Sequence, residues 1–219
     1  MEPLDRFILY VIPKPCALGK GVNSVLSFLD HCLKTFTVGE KCVKFHADNC
    51  IGLNKNNYTI QYLTSLVKTQ KKYESVEFSC MPVGHTKFRV DACFGTFKTK
   101  WNHSEAHCLK DVVCIATQMK NTCVILVGDE KGKTTYLPQS NWIGLFEKTP
   151  GLKKVPKIRS MHHFRTTNTE PGVVYSKETL HGEEFRTEVI PAAIDVGTPE
   201  ILSLAQITDA RKKYTVNSA

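Results

Sequence analysis

The stretch from Lys44 to Asn57, KFHADNCIGLNKNN, constrains the fold of this chain most tightly. It continues a short apolar run, Cys42, Val43, Phe45 and Ala47, that suits a buried strand and stops at Asp48. An acid at a strand end stands where open α/β sheets bind ligands and metals, because loops there leave the core and present side chains to solvent. The other common use of such an acid is as a turn residue or helix cap. Asn49, Gly52, Asn54, Asn56 and Asn57 supply turn-forming and capping side chains. Tyr58, Tyr62, Leu63, Leu66 and Val67 then fall on one face of a helix that closes in Lys68, Lys71 and Lys72. A second strand follows at Val76, Phe78 and Cys80, ending at Pro82. Strand, helix and strand at this spacing predict a right-handed parallel βαβ unit, and with it an α/β fold.

The rest of the chain is arranged around that unit. Phe7 to Ile12 reads as a strand closed by Pro13 and Pro15. Val22, Val25, Leu26, Leu29 and Leu33 have helical spacing. Gly19 and Gly21 punctuate the start of that helix and lack the phosphate-loop spacing. Val90, Cys93, Phe94 and Phe97 predict a further helix, opened by Asp91. In HSEAHC, His103 and His107 lie four apart, which predicts an exposed helix face and leaves a weak zinc candidate. Thr122 to Val127 and Thr135 to Leu137 read as a hairpin, as do Ile158 to Arg165 and Gly172 to Lys177, with Trp142, Ile143, Leu145 and Phe146 as a separate apolar anchor. The expected organisation is a core over residues 1–120, a small β-rich appendage over 121–180 and an irregular tail over 181–219.

At 219 residues and 42% hydrophobic content the chain can bury a full core. It lacks the run of about 18 to 20 apolar residues that a membrane span requires, and the N-terminus lacks the marks of a secretory leader. No membrane is therefore expected, and nine cysteines without CxxC pairing suggest reduced thiols, hence nucleus or cytoplasm. The formal charge of +8 is uneven: residues 41–110 hold eleven Lys or Arg against five Asp or Glu, whereas residues 1–40 balance at four each. A second basic run, Lys148, Lys153, Lys154, Lys157, Arg159 and Arg165, has no acid within it. Such surplus favours polyanions, so DNA is the expected partner, with solvated lysine faces as the bland alternative.

Asp48 at a strand end and Asp91 in the first turn of a helix beyond the next strand suit one divalent cation, Mg²⁺ or Mn²⁺, which takes oxygen ligands and keeps several waters. His85, in the loop between them, is placed for metal, phosphate or proton transfer, or for a plain hydrogen bond to backbone.

HADNCIGLNKNN followed by SCMPVGHTKFRVDACFG resembles the paired signature, ADNC.GQNKN then GHT....D..FG, of an uncharacterised transposon-associated domain. That domain is similar to the ribonuclease-H-like catalytic core of DDE/DDD-type transposases and integrases. The resemblance runs from about Leu18 to Trp101. It implies that Asp48 is the second catalytic acid and Asp91 the third, with Asn49, Asn54, Lys55 and His85 as site neighbours. Asn49, Asn54, Lys55, Lys87, Arg89 and Lys98 make the expected nucleic-acid-binding set, and His85 joins the two acids as an expected catalytic residue. Leu53 stands in place of the usual Gln, and Lys98 where an acid often follows. The first acid and its strands are not found, with Asp5 the one late substitute. The implied protein is a partial ribonuclease-H-like core, related to metal-dependent phosphodiester transferases and nucleases and catalytically incomplete. The alternative is a non-catalytic nucleic-acid-binding or protein-interaction module.

Overall fold

Alternating and helical patterns become twelve elements in the computed structural model, which describes residues 6–13, 20–81, 88–127, 137 and 139–202. In chain order these are β1 (Phe7–Val11), α1 (Val22–Phe36), β2 (Cys42–Ala47), α2 (Asn57–Lys68), β3 (Ser75–Cys80), α3 (Arg89–Asn102) and α4 (Leu109–Thr117). There follow β4 (Thr122–Leu126), α5 (Trp142–Lys148), β5 (His163–Thr167), β6 (Val173–Lys177) and β7 (Phe185–Glu188). The fold is α/β. No helix among the described residues is long and apolar enough to cross a membrane. The described residues form two compact units, one within Met1–Leu18 and Lys87–Leu137, the other within Gly19–Thr86 and Pro138–Leu202.

The larger unit contains the expected βαβ: β2 and β3 run parallel, with Phe45 beside Phe78 and Ala47 beside Cys80, and α2 connects them. Asn56 caps α2, its side-chain oxygen accepting from the Thr59 N–H at 3.0 Å. Every residue from Thr59 to Val67 is buried, so α2 is enclosed around its circumference. Its apolar side meets Val76 and Phe78 of β3, Phe164 of β5 and Val174 of β6.

Two sequence expectations change here. The hairpin of β5 and β6 does form, but β5 pairs antiparallel with β3, giving one five-stranded sheet in the order β2-β3-β5-β6-β7. It extends the central sheet instead of forming an appendage, because Phe164 and Val174 belong to the same apolar face as Phe78. The anchor at α5 is likewise part of this core. Trp142 meets the Tyr62 ring edge-on at 4.9 Å and its Nε1 donates to Ser27 Oγ of α1 at 3.2 Å. The stretch after residue 181, expected to be irregular, supplies β7 and the fully buried Val189 and Ile190. Lys68 ties this stretch to α2 by donating to the carbonyls of Ile190 at 3.2 Å, Ile194 at 2.7 Å and Pro191. Gly172, with φ of 92°, opens β6 where a Cβ would overlap the Ile190 carbonyl oxygen.

In the smaller unit β1 and β4 pair in parallel, Phe7 beside Thr122 through Val11 beside Leu126. Ile115, Ala116, Met119, Ile125 and Val127 are buried there, whereas α3 has no buried residue. β4 realises the first half of the hairpin expected at residues 122–137; positions 128–136 lie outside the described residues. The HSEAHC stretch is a non-helical link, which corrects the expected helix face. α3 ends at Asn102, and α4 starts at Leu109, where Asp111 of its first turn accepts from the His107 and Cys108 N–H groups at 2.9 and 3.0 Å.

Candidate functional site at the end of the parallel strand pair

Beyond Ala47 the chain leaves the sheet at Asp48 and turns back through a tight loop. The carbonyl of Cys50 accepts from the N–H groups of Leu53, Asn54 and Lys55 at 3.3, 2.9 and 3.0 Å. Asp48 is exposed, and its Oδ1 accepts from Asn54 Nδ2 at 2.6 Å and from the Cys50 N–H at 3.3 Å. The carboxylate is thus held in one orientation at the C-terminal end of two parallel strands. Asn49 beside it is half-buried, with a buried side-chain oxygen that has no hydrogen-bond partner in the structure.

The other polar residues of the loop fasten it to the unit. Asn57 Oδ1 accepts from the Val155 N–H at 2.8 Å. Lys55, expected to face a nucleic-acid backbone, is completely buried and donates through Nζ to the Arg159 carbonyl at 2.6 Å. That corrects its role: an ammonium enclosed by its own fold is not offered to an external phosphate. Burial lowers the Lys55 pKa, partly opposed by the nearby Cys80. The Cys80 thiol is pushed up to about 11 by burial, Lys55 counteracting and Asp48 adding to the rise. This cysteine is a core residue and not a nucleophile.

Asp91 opens α3 in the smaller unit, where its Oδ2 accepts from the Phe88 N–H at 3.0 Å. Arg89 is exposed, its guanidinium 5.9 Å from the centre of the Phe7 ring, and Lys98 is exposed on the same helix. The two expected acids therefore belong to different units. His85, Lys87 and Asp5 lie outside the described residues. Among the described residues no group of three or more His, Cys, Asp or Glu side chains is gathered to hold a metal ion. Among the described residues, Asp48 would hold Mg²⁺ or Mn²⁺ as one fixed carboxylate within a mainly aqueous shell.

The second basic run is partly neutralised by acids from later in the chain, Lys148 by Glu200 at 3.3 Å and Lys153 by Glu188 at 3.3 Å. Lys154, Lys157 and Arg159 are exposed.

The outer face of the five-stranded sheet carries residues that the sequence reading did not single out. Register places His46, Ser79, His163 and Lys177 side by side on β2, β3, β5 and β6. Ser79 Oγ and His163 Nδ1 are hydrogen-bonded at 3.0 Å. Period-two alternation marks each as an outward residue, but only the strand order makes them neighbours.

A family model described as a domain of unknown function, DUF7869, matches residues 9–181. No curated protein and no solved structure matches the chain.

Proposed function

We propose, for a chain that belongs to the DUF7869 family, a DNA-directed role derived from metal-dependent phosphodiester chemistry. In this reading the protein is a transposon-derived, ribonuclease-H-like core of nucleus or cytoplasm that holds the DNA backbone and a Mg²⁺ or Mn²⁺ ion but does not complete strand cleavage. The observation that carries it is the setting of Asp48, an exposed carboxylate fixed by Asn54 where a parallel strand pair ends. The charge of +8 and the exposed Lys154, Lys157 and Arg159 support a polyanionic partner. Cleavage requires metal charge shared between attacking and leaving oxygens, and the first acid of the resembling cores has no counterpart in the described residues. With each 1.36 kcal/mol worth about tenfold in rate, loss of one bridging carboxylate removes many orders of magnitude of activity while leaving backbone affinity intact.

Paramagnetic Mn²⁺ tests the metal. It is expected to broaden the amide signals of Cys50 and Asn54 before others in the larger unit, and Asp48→Asn is expected to weaken that broadening at least tenfold. Equal broadening in both proteins removes Asp48 as a ligand. The hydrogen bonds from Asn54 and Cys50 also favour a second reading, in which Asp48 only closes its loop and the chain is a non-catalytic binding or interaction module. Supercoiled plasmid with Mn²⁺ is expected to stay intact; nicking that disappears in an Asp48→Ala, Asp91→Ala double variant contradicts the incomplete site.

A further inference from the structure

We propose that the outer face of the five-stranded sheet holds a phosphate-binding pocket, built by Ser79, His163, Arg165 and Lys177 and closed by Glu184. It goes beyond the metal edge at Asp48 and stands without it. The pocket is a cavity of about 180 Å³ over β3, β5 and β6, with Leu180 and Glu184 of the loop before β7 on its rim.

Its charges are arranged for an oxyanion. The Glu184 carboxylate lies between two cations, 3.3 Å from Arg165 Nη2 through both oxygens and 3.6 Å from Lys177 Nζ. These contacts are longer than the about 2.7 to 2.9 Å of well-made charge-assisted hydrogen bonds. Arg165 is kept in place independently by stacking over the Tyr175 ring at 4.8 Å. Glu77, the other acid of the pocket, is engaged by Lys44 at 3.0 Å. A carboxylate has two oxygens and reaches Arg165 and Lys177 only. A phosphate group has a third for the Ser79 hydroxyl or the His163 ring, which are already joined at 3.0 Å.

His163 reports occupancy. Its pKa is lowered by burial first and then by the electrostatic influence of His162, Lys177 and His46. A bound dianion opposes that influence and raises the pKa.

Histidine-ring NMR of the full chain, with inorganic phosphate replacing chloride at constant ionic strength, tests the site. The titration midpoint of His163 is expected to rise by about one unit and to saturate with phosphate concentration. Lys177→Met is expected to weaken the response at least tenfold, and Glu184→Gln to strengthen it about threefold by removing the competing carboxylate. Both substituted residues are on the solvent side of the sheet, and unchanged amide spectra elsewhere confirm that the fold is kept. A 5′-phosphorylated oligonucleotide and its 5′-hydroxyl counterpart separate sources. Where inorganic phosphate moves the midpoint, a response to the first oligonucleotide and not the second assigns the pocket to a nucleic-acid end, and a response to neither assigns it to free phosphate. A midpoint unmoved by phosphate, or moved equally in Lys177→Met, overturns the proposal.

Discussion

Lys55→Ala is expected to lower the unfolding free energy by about 3 kcal/mol, while Lys55→Met costs about 1 kcal/mol. Lys55 has no exposed surface, and its ammonium is bonded to the Arg159 carbonyl 104 residues away. Truncation to Ala empties the volume of the stem and removes the donor from that carbonyl, two costs that add. Methionine keeps most of the volume, and the lost hydrogen bond is offset by no longer burying a charge. Urea unfolding of both variants measures the pair. DNA affinity and its salt slope should be unchanged in Lys55→Met, because the ammonium is enclosed. Weakened DNA binding by a stable Lys55→Met protein contradicts the structural role.

Trp142→Ala should cost about 4 kcal/mol, the largest effect of a single truncation in the larger unit. Its ring packs edge-on to Tyr62 of α2 at 4.9 Å and alongside Phe146 at 6.3 Å. Its Nε1 donates to Ser27 Oγ, which also accepts from the Ser140 N–H at 2.9 Å and itself donates to the Asn23 carbonyl at 2.7 Å. One side chain therefore joins α1, α2 and α5. Trp142→Phe keeps most of the apolar contact and loses the hydrogen bond, for about 1 kcal/mol. Thermal or urea unfolding separates the two; a loss under 1 kcal/mol in Trp142→Ala would place α5 outside the cooperative core.

What could be read from sequence followed the range of the interaction. The βαβ unit was legible because period-two and helical spacing are local, and Asp48 was legible as the residue where one pattern stops. The polar loop was legible as a loop but not in its wiring: nothing near Lys55 distinguishes a solvated lysine from one bonded to Arg159. Docking of the β5–β6 hairpin on β3 was missed for the same reason. A hairpin's local pattern does not name the strand it joins, and the appendage reading counted its apolar face as a separate core. His46, Ser79, His163 and Lys177 become neighbours only once strand order and register are fixed. The HSEAHC stretch failed differently: His103 and His107 are spaced as on one helix face, but capping by Asp111 starts a helix only beyond them.

Binding of labelled duplex DNA, followed by fluorescence anisotropy across a salt series, tests the central claim of a DNA-directed, backbone-reading protein most directly. Neutralised phosphates release counterions, so log affinity is expected to fall linearly with log salt, with a slope of about −0.9 per phosphate contact. Duplexes of unrelated sequence should give parallel and nearly superimposed lines, because phosphate contacts carry no base information. No binding at low salt, or an affinity that does not change with salt, would contradict the account.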